Sequence, residues 1–165
     1  MRDHFEMMAN YNIWANKTLY AEVGHLTPEE LNRDVGAFFK SALGTLNHIL
    51  VGDIAWLHRV DGKGSVPEAL NSVLHDNFED LWTVRQEMDQ RILNVIQTLP
   101  AARFEETLSY KTMAGEEQRT HMRHVLTHVF NHQTHHRGQC HQCLTQLGKA
   151  APSIDLIYYL RSLDV

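Results

Sequence analysis

The sequence predicts an all-α fold: a four-helix bundle with a short C-terminal helix. Apolar residues recur with helical periodicity along most of the 165 residues. Only four prolines and nine glycines interrupt the chain, which favours long elements. Four segments are long enough to pack side by side as a bundle. A chain of this length is expected to form a single domain over residues 1–165.

The four long helices are bounded by sequence signals for starts and stops. Their predicted ranges are 3–24, 41–60, 75–99 and 119–147. After the first helix, Thr27 can cap a short helical turn that begins at Pro28. The third helix is predicted to stop before Pro100, and the fourth is predicted to end at Leu147, with Gly148 just beyond its end.

Two segments lie outside the four long helices. Residues 101–118 are less regular, and the runs 104–110 and 111–115 are expected to form a short hairpin or an extended connection. A short fifth helix is expected over residues 154–163. It closes the chain.

Charge and composition exclude several classes of function. Fifteen Lys and Arg against twenty Asp and Glu give a net charge of −5, which argues against nucleic acid or an anionic membrane as the main partner. No apolar run is long enough to span a membrane, and the first residues lack the pattern of a signal peptide. The two cysteines give no disulfide framework, so we expect a cytoplasmic protein.

Histidine is the unusual residue, with twelve copies, seven of them in the fourth predicted helix. Rotation by 100° per residue places His136 within the apolar face of this helix and His132 on its flank. The other five point further round and are expected to be solvated, supporting or partner-facing. His132 and His136 are one turn apart, so their imidazoles can bind one metal ion. The alternative is a pair of ordinary core histidines.

A metal ion needs a further ligand, which in a bundle comes from a facing helix. The candidates outside the fourth helix are His4, His48, His58 and His75. Cys140, one turn beyond His136 on the same helix, is a further candidate. His48 points away from the main apolar face of the second helix. Its own side carries Gly52 and Ala55, which are small enough to let another helix approach. The rotation therefore permits His48 without selecting it.

A charged pair, Arg85 and Asp89, lies in the middle of the apolar face of the third helix. One interpretation is an ion pair near the edge of the bundle, since buried charges need partners. The other is that both line a pocket above the metal, where Arg85 could bind an anionic substrate group. Tyr11 is either a core tyrosine or a further pocket-lining residue.

Cys140 and Cys143 both point into the apolar face of the fourth helix. They are expected to pack as small hydrophobic residues. A redox Cys-x-x-Cys pair is expected at a helix N-terminus, whereas these two lie near a C-terminal end. Cys140 as a metal ligand is the minority alternative.

Several segments resemble the DinB family of helical-bundle proteins, and they occur in the family's order across nearly the whole chain. They are YNIWAN at 11–16, GTLNHIL at 44–50, DIAWL at 53–57, HVFNHQTHHRGQ at 128–139 and DLIYYL at 155–160. The resemblance implies an up-down-down-up helix order and a divalent-metal site formed by His48, His132 and His136. It also implies a homodimer.

Some members of the family that the sequence resembles are thiol-dependent S-transferases or isomerases, and others are proposed hydrolases. Three neutral histidines leave a coordination position open, which can take water or a thiolate, and zinc or nickel suits such a site. We therefore expect a metal-dependent enzyme acting on a small molecule, with low-molecular-weight-thiol S-transferase or hydrolase chemistry. The alternative is a non-catalytic, stress-related bundle in which the ion is structural, sensed or sequestered.

Overall fold

A computed structural model describes residues 1–163, and over this range the chain is mostly helical with one small sheet. The α-helices of this range are α1 (Arg2–Val23), α2 (Pro28–Asn32), α3 (Ala42–Asp61), α4 (Phe78–Thr98), α5 (Met122–Gln146) and α6 (Leu156–Leu163). A 3₁₀ helix (Ala101–Glu105) and the strands β1 (Thr107–Lys111) and β2 (Glu117–His121) lie between α4 and α5. Within residues 1–163, no helix has both the length and the apolar character needed to cross a membrane.

The ends of the helices follow the chemistry of their capping residues. The side chain of Ser41 caps α3, and Gly62 ends this helix in the left-handed conformation, at φ +72°. Thr27 and Glu30 form a reciprocal capping box on α2, so the predicted cap at Thr27 is confirmed. Helix α4 begins three residues later than predicted because the side chain of Asn77 accepts hydrogen bonds from the first free N–H groups.

The fold is mostly helical rather than all-α, because residues 107–121 form an antiparallel hairpin, one of the two structures expected for this part of the chain. Thr107 pairs with His121 and Lys111 pairs with Glu117. The tip of the hairpin turns at Gly115, whose φ of +85° suits glycine. The predicted start of the fourth long helix at residue 119 is wrong for the same reason: its first residues pair in β2, so α5 begins at Met122.

The core is built from the four long helices, which pack as expected for a helical bundle. Helix α1 packs on α4 and α5, and α3 packs on the same two helices. Each long helix contributes fully buried leucines; examples are Leu19, Leu50, Leu81 and Leu126. The short helix α6 packs on α1, where Tyr159 contacts Tyr11 and Trp14.

Candidate metal centre

Three imidazoles from two helices converge on one point. His48 lies on α3, and His132 and His136 lie one turn apart on α5. The Nε2 atom of His48 is 3.1 Å from Nε2 of His132 and 3.2 Å from Nε2 of His136. Two nitrogens bound tetrahedrally to one zinc ion lie about 3.3 Å apart, given the usual Zn–N distance. The three nitrogens are therefore spaced as ligands of one ion.

Hydrogen bonds on the far side of two rings determine where their protons lie. Nδ1 of His48 donates to the carbonyl oxygen of Leu70 at 2.7 Å, and Nδ1 of His136 donates to Oε1 of Gln139 at 2.8 Å. Since these oxygens only accept, both neutral rings carry their hydrogen on Nδ1 and present a lone pair at Nε2. Facing lone pairs repel unless a cation lies between them, so this donor set fits a metal ion.

Burial keeps all three imidazoles in the form that binds metals. Burial, reinforced by the neighbouring imidazoles, lowers the pKa of His132 to about 3. Burial also lowers the pKa of His136, to about 4, and that of His48 below its ordinary value. The rings are therefore neutral at pH 7, so a metal ion does not have to displace protons from them.

Gly52 lets α5 approach α3 closely enough for the three rings to meet. A Cβ atom at Gly52 would lie 2.5 Å from Cε1 of His132 and 3.1 Å from its Nδ1. The neighbouring Ala55 is buried as well, so this side of α3 is covered. The expectation that small residues on the His48 side admit another helix is confirmed. On its other side, the ring of His48 stacks on Phe39, with centroids 3.8 Å apart.

Replacing Gly52 by alanine is expected to weaken metal binding about 10- to 100-fold, the range typical for disturbing the support of a ligand. The added methyl group must push the His132 ring away from the other two. Competition against a chromogenic chelator measures the change. The matched control is Gly138→Ala, because a Cβ at Gly138 in α5 meets nothing within 4 Å. Equal metal affinity in both variants and the unaltered chain would contradict the close contact.

The three imidazoles line a cavity of about 1000 Å³, the upper end of the range for small-molecule sites. Its mouth is open, since Phe38 and Leu70 are 83% and 52% exposed. Most of the lining is apolar or aromatic, and the residues of this kind are Phe38, Phe39, Ala55, Trp56, Leu70, Tyr110, Met113 and Ala114. The other polar lining residues are Arg59, Asn71, Thr112, Glu116 and His128. A small molecule can therefore reach the metal centre.

Sequence reasoning missed the far half of this cavity. Trp56 and Arg59 follow Gly52 along one side of α3, and this helical spacing was the available signal. His128, on α5, contacts Trp56 with ring centroids 4.8 Å apart. No local sequence pattern places Tyr110 at the cavity, because its position there depends on how the hairpin of residues 107–121 packs against the helices.

The charged pair on α4 lies in the interior, away from the cavity. Nη2 of Arg85 is 2.9 Å from Oδ1 of Asp89, and its Nη1 is 2.5 Å from Oδ2 of Asp53 on α3. Arg85 is 0% exposed. Neither Arg85 nor Asp89 is among the residues that line the cavity of the metal centre. Their placement corrects both interpretations: the ion pair exists, but it lies at the centre of the helices, where Asp53 completes it.

A second buried arginine, Arg137 of α5, is joined to this ion pair through amide side chains. Its Nη1 donates to the side-chain oxygens of Asn12, Asn16 and Gln133. The amide nitrogens of the two asparagines donate to Asp89, and that of Gln133 donates to Asp53. Two carboxylates and two guanidinium groups thus share one network, so their buried charges balance.

Tyr11 and the two cysteines are parts of the core rather than of the metal centre. The hydroxyl of Tyr11 donates to the carbonyl oxygen of Ile154 at 2.8 Å, and the side chain does not line the cavity of the metal centre. Cys140 and Cys143 are fully buried. Burial raises the pKa of both thiols. Cys140 does not belong to the three-histidine group, so packing accounts for it.

Taken together, the fold and the site define a mostly helical protein with a three-histidine group that can hold a metal ion. The model of the DinB family matches residues 1–163, and the chain belongs to this family. The resemblance inferred from the sequence is confirmed. The chain is also similar to Protein DinB of Bacillus subtilis (strain 168), with 24% identity over 169 residues, covering 97% of this chain and 95% of that protein.

Proposed function

We propose that this protein is a metal-dependent S-transferase that joins a low-molecular-weight thiol, through its sulfur, to a small electrophile. The observation that carries the proposal is the convergence of three Nε2 atoms at the wall of an open cavity of about 1000 Å³. Within residues 1–163, no fourth His, Cys, Asp or Glu joins this group. That leaves a coordination position for a ligand from the cavity.

A divalent ion bound to the three histidines would lower the pKa of a thiol at its open position. The residues of the chain supply the rest. The largely apolar walls favour an electrophile with an apolar body. His128 lines the cavity, and burial, together with the cation of Arg59, lowers its pKa, so it is neutral at pH 7. An imidazole nitrogen of His128 can then accept the thiol proton while sulfur bonds to carbon and the leaving group departs with its electron pair.

Hydrolysis is the second candidate, because Glu116 and His128 both line the cavity and either could act as general base toward water. The apolar lining favours the thiol reaction, since water is the more poorly accommodated nucleophile there. The non-catalytic alternative, in which the ion is structural, sensed or sequestered, predicts no reaction at all. It leaves the size and openness of the cavity unexplained.

We also propose the up-down-down-up order for the four long helices, within one domain over residues 1–165. The order of side-chain contacts supports it. Residue numbers rise together along α1 and α5, and they run oppositely along α1 and α4 and along α3 and α5. The pairs are Phe5–Phe130 and Asn16–Arg137, then Arg2–Leu99 and Tyr20–Trp82, then His48–His136 and Trp56–His128.

The identity of the ion and the assembly are further parts of the proposal. Three imidazoles with a place for a thiolate suit zinc or nickel. The net charge of −5 supports a small-molecule substrate rather than nucleic acid. We also propose that the protein is a cytoplasmic homodimer. Exposed apolar side chains on α6, Ile157 and Tyr158, offer surface for a second copy.

Thiol binding by cobalt-loaded protein tests the proposed function. We expect cysteine or 2-mercaptoethanol to produce a sulfur-to-metal charge-transfer band that saturates at one thiol per ion. We also expect conversion of a chlorodinitrobenzene electrophile by zinc- or nickel-loaded protein, with loss of activity after chelation. Bound metal without a thiol band or turnover would favour the non-catalytic alternative. Failure of tag-free protein to retain about one equivalent of metal would overturn both.

A further inference from the structure

Arg59 lies at the cavity wall against two aromatic rings. The central carbon of its guanidinium group lies 4.4 Å from the ring centre of Trp56 and 5.2 Å from that of Tyr110. Trp56 precedes it on α3, and Tyr110 belongs to strand β1 of the hairpin. The two rings contact each other at an angle of 68°, so the cation lies against both ring faces, and neither ring face offers an oxygen or nitrogen acceptor to its N–H groups. The side chain is thus fixed in position with its donors unoccupied by the rings.

No carboxylate within residues 1–163 forms an ion pair with Arg59. The ion-paired arginines of this range are Arg33, Arg85, Arg91, Arg103 and Arg123. Glu116 lines the same cavity but lies beyond the 4 Å distance of an ion pair. Burial lowers the pKa of Arg59, although the group stays cationic at pH 7. A half-buried cation with free donors on a cavity wall is a site for an anion.

The position of Arg59 relative to the histidines limits the size of the ligand. Arg59 follows Gly52, against which His132 rests, by two turns of α3, about 10 Å along the helix axis. Between them the wall is formed by Ala55 and Trp56. A ligand that spans this distance has an apolar middle, one end near the metal centre and the other end near Arg59.

We propose that the cavity binds an apolar small molecule that carries an anionic group, a carboxylate or a sulfonate, and that Arg59 binds this group. The proposal rests on the proposed function, because it names the class of ligand for the same site. Arg59 therefore takes the anion-binding role that the sequence suggested for Arg85, which is enclosed by Asp53 and Asp89. The exposed Phe38 and Met113 at the mouth provide surface for the apolar body.

Calorimetric titration with 4-phenylbutane-1-sulfonate and 4-phenylbutan-1-ol tests the proposal. A sulfonate accepts hydrogen bonds from arginine but is a poor metal ligand, so its binding reports on Arg59. We expect the sulfonate to bind at least tenfold more tightly than the alcohol. Arg59→Gln is expected to remove this preference and to leave the alcohol affinity within twofold, with Arg59→Lys in between. Arg119→Gln, at an exposed position of β2 outside the cavity, is the matched control and keeps the preference.

Equal affinity of the unaltered protein for sulfonate and alcohol would overturn the proposal, even if Arg59→Gln failed to fold. An equal loss of affinity for the sulfonate and the alcohol in Arg59→Gln would also overturn it, because that result would show that Arg59 only supports the packing of Trp56 and Tyr110. Repeating the titration on metal-free protein separates the two hypotheses. A sulfonate preference without bound metal supports anion binding whether or not the protein is an enzyme.

The anionic group can belong to the electrophile or to the thiol. Titrating cobalt-loaded protein with 3-mercaptopropionate and with 1-propanethiol distinguishes these sources. Weaker binding of 3-mercaptopropionate in Arg59→Gln, with the binding of 1-propanethiol unchanged, assigns the anion to the thiol. A loss confined to 4-phenylbutane-1-sulfonate assigns it to the electrophile, and no loss with either anionic probe contradicts the proposal.

Discussion

Replacing His132 by alanine is expected to reduce metal retention from about one equivalent to less than a tenth. Its Nε2 lies 3.1 Å from that of His48, so the substitution removes one of three ligand atoms. The loss of affinity should exceed the 10- to 100-fold that the loss of a supporting hydrogen bond costs. The ring lines an open cavity, so its removal enlarges that cavity rather than leaving a closed void, and the variant is expected to fold. Elemental analysis of tag-free protein after dialysis measures the effect.

The chain supplies a closely matched control for this substitution. His128 lies one turn earlier on α5 and lines the same cavity, but it does not belong to the three-histidine group. His128→Ala is therefore expected to retain metal and, under the proposed reaction, to lose turnover. Equal metal content in His128→Ala and His132→Ala, with both folded, would show that the ion is bound elsewhere or not at all.

Replacing Arg85 by methionine is expected to destabilise the fold by about 3–5 kcal/mol, the usual cost of removing one member of a buried ion pair. The substitution leaves the carboxylates of Asp53 and Asp89 buried without the cation that lies 2.5 Å from one and 2.9 Å from the other. Burial already raises the pKa of Asp53 to about 6 despite Arg85, so removing the cation raises it further. Urea unfolding followed by circular dichroism measures the loss.

A surface pair on the same two helices calibrates this measurement. Arg91 on α4 lies 3.1 Å from Asp61 on α3, but both side chains contact solvent. Arg91→Met is therefore expected to cost less than about 1 kcal/mol. Should Arg85→Met fail to fold, Arg85→Lys keeps a cation near both carboxylates and is expected to fold with an intermediate loss. A loss below about 1 kcal/mol for either Arg85 variant would show that the two carboxylates are protonated or solvated.

Local signals in the sequence account for the long helices and for half of the metal centre. Helical periodicity and capping residues such as Thr27 depend on near neighbours, and so does the direction of His132 and His136 on one helix. His48 could not be chosen from rotation because its position depends on the approach of α5 over Gly52. The family resemblance, which carries tertiary information, indicated it.

The residues that sequence reasoning misplaced are those whose surroundings come from distant parts of the chain. Asp53 follows Gly52 on α3 and gave no sign that it would meet Arg85. Because Asp53 was not recognised as a partner, the Arg85–Asp89 pair was expected either near the edge of the bundle or in a pocket above the metal. Arg59 was overlooked because one of the rings that hold it, Tyr110, belongs to a hairpin whose docking no local pattern predicts.

The amide of Gln133 ties the metal centre to the charged network. Gln133 follows His132 on α5 and donates to Asp53, which follows Gly52 on α3. Sliding one helix past the other would break this bond and leave a buried amide donor and one carboxylate oxygen without this partner. The frame of the centre is thus locked by forces that do not involve the ion. If the three histidines hold a metal ion, we expect the ion to dissociate and rebind without refolding of the helices around it.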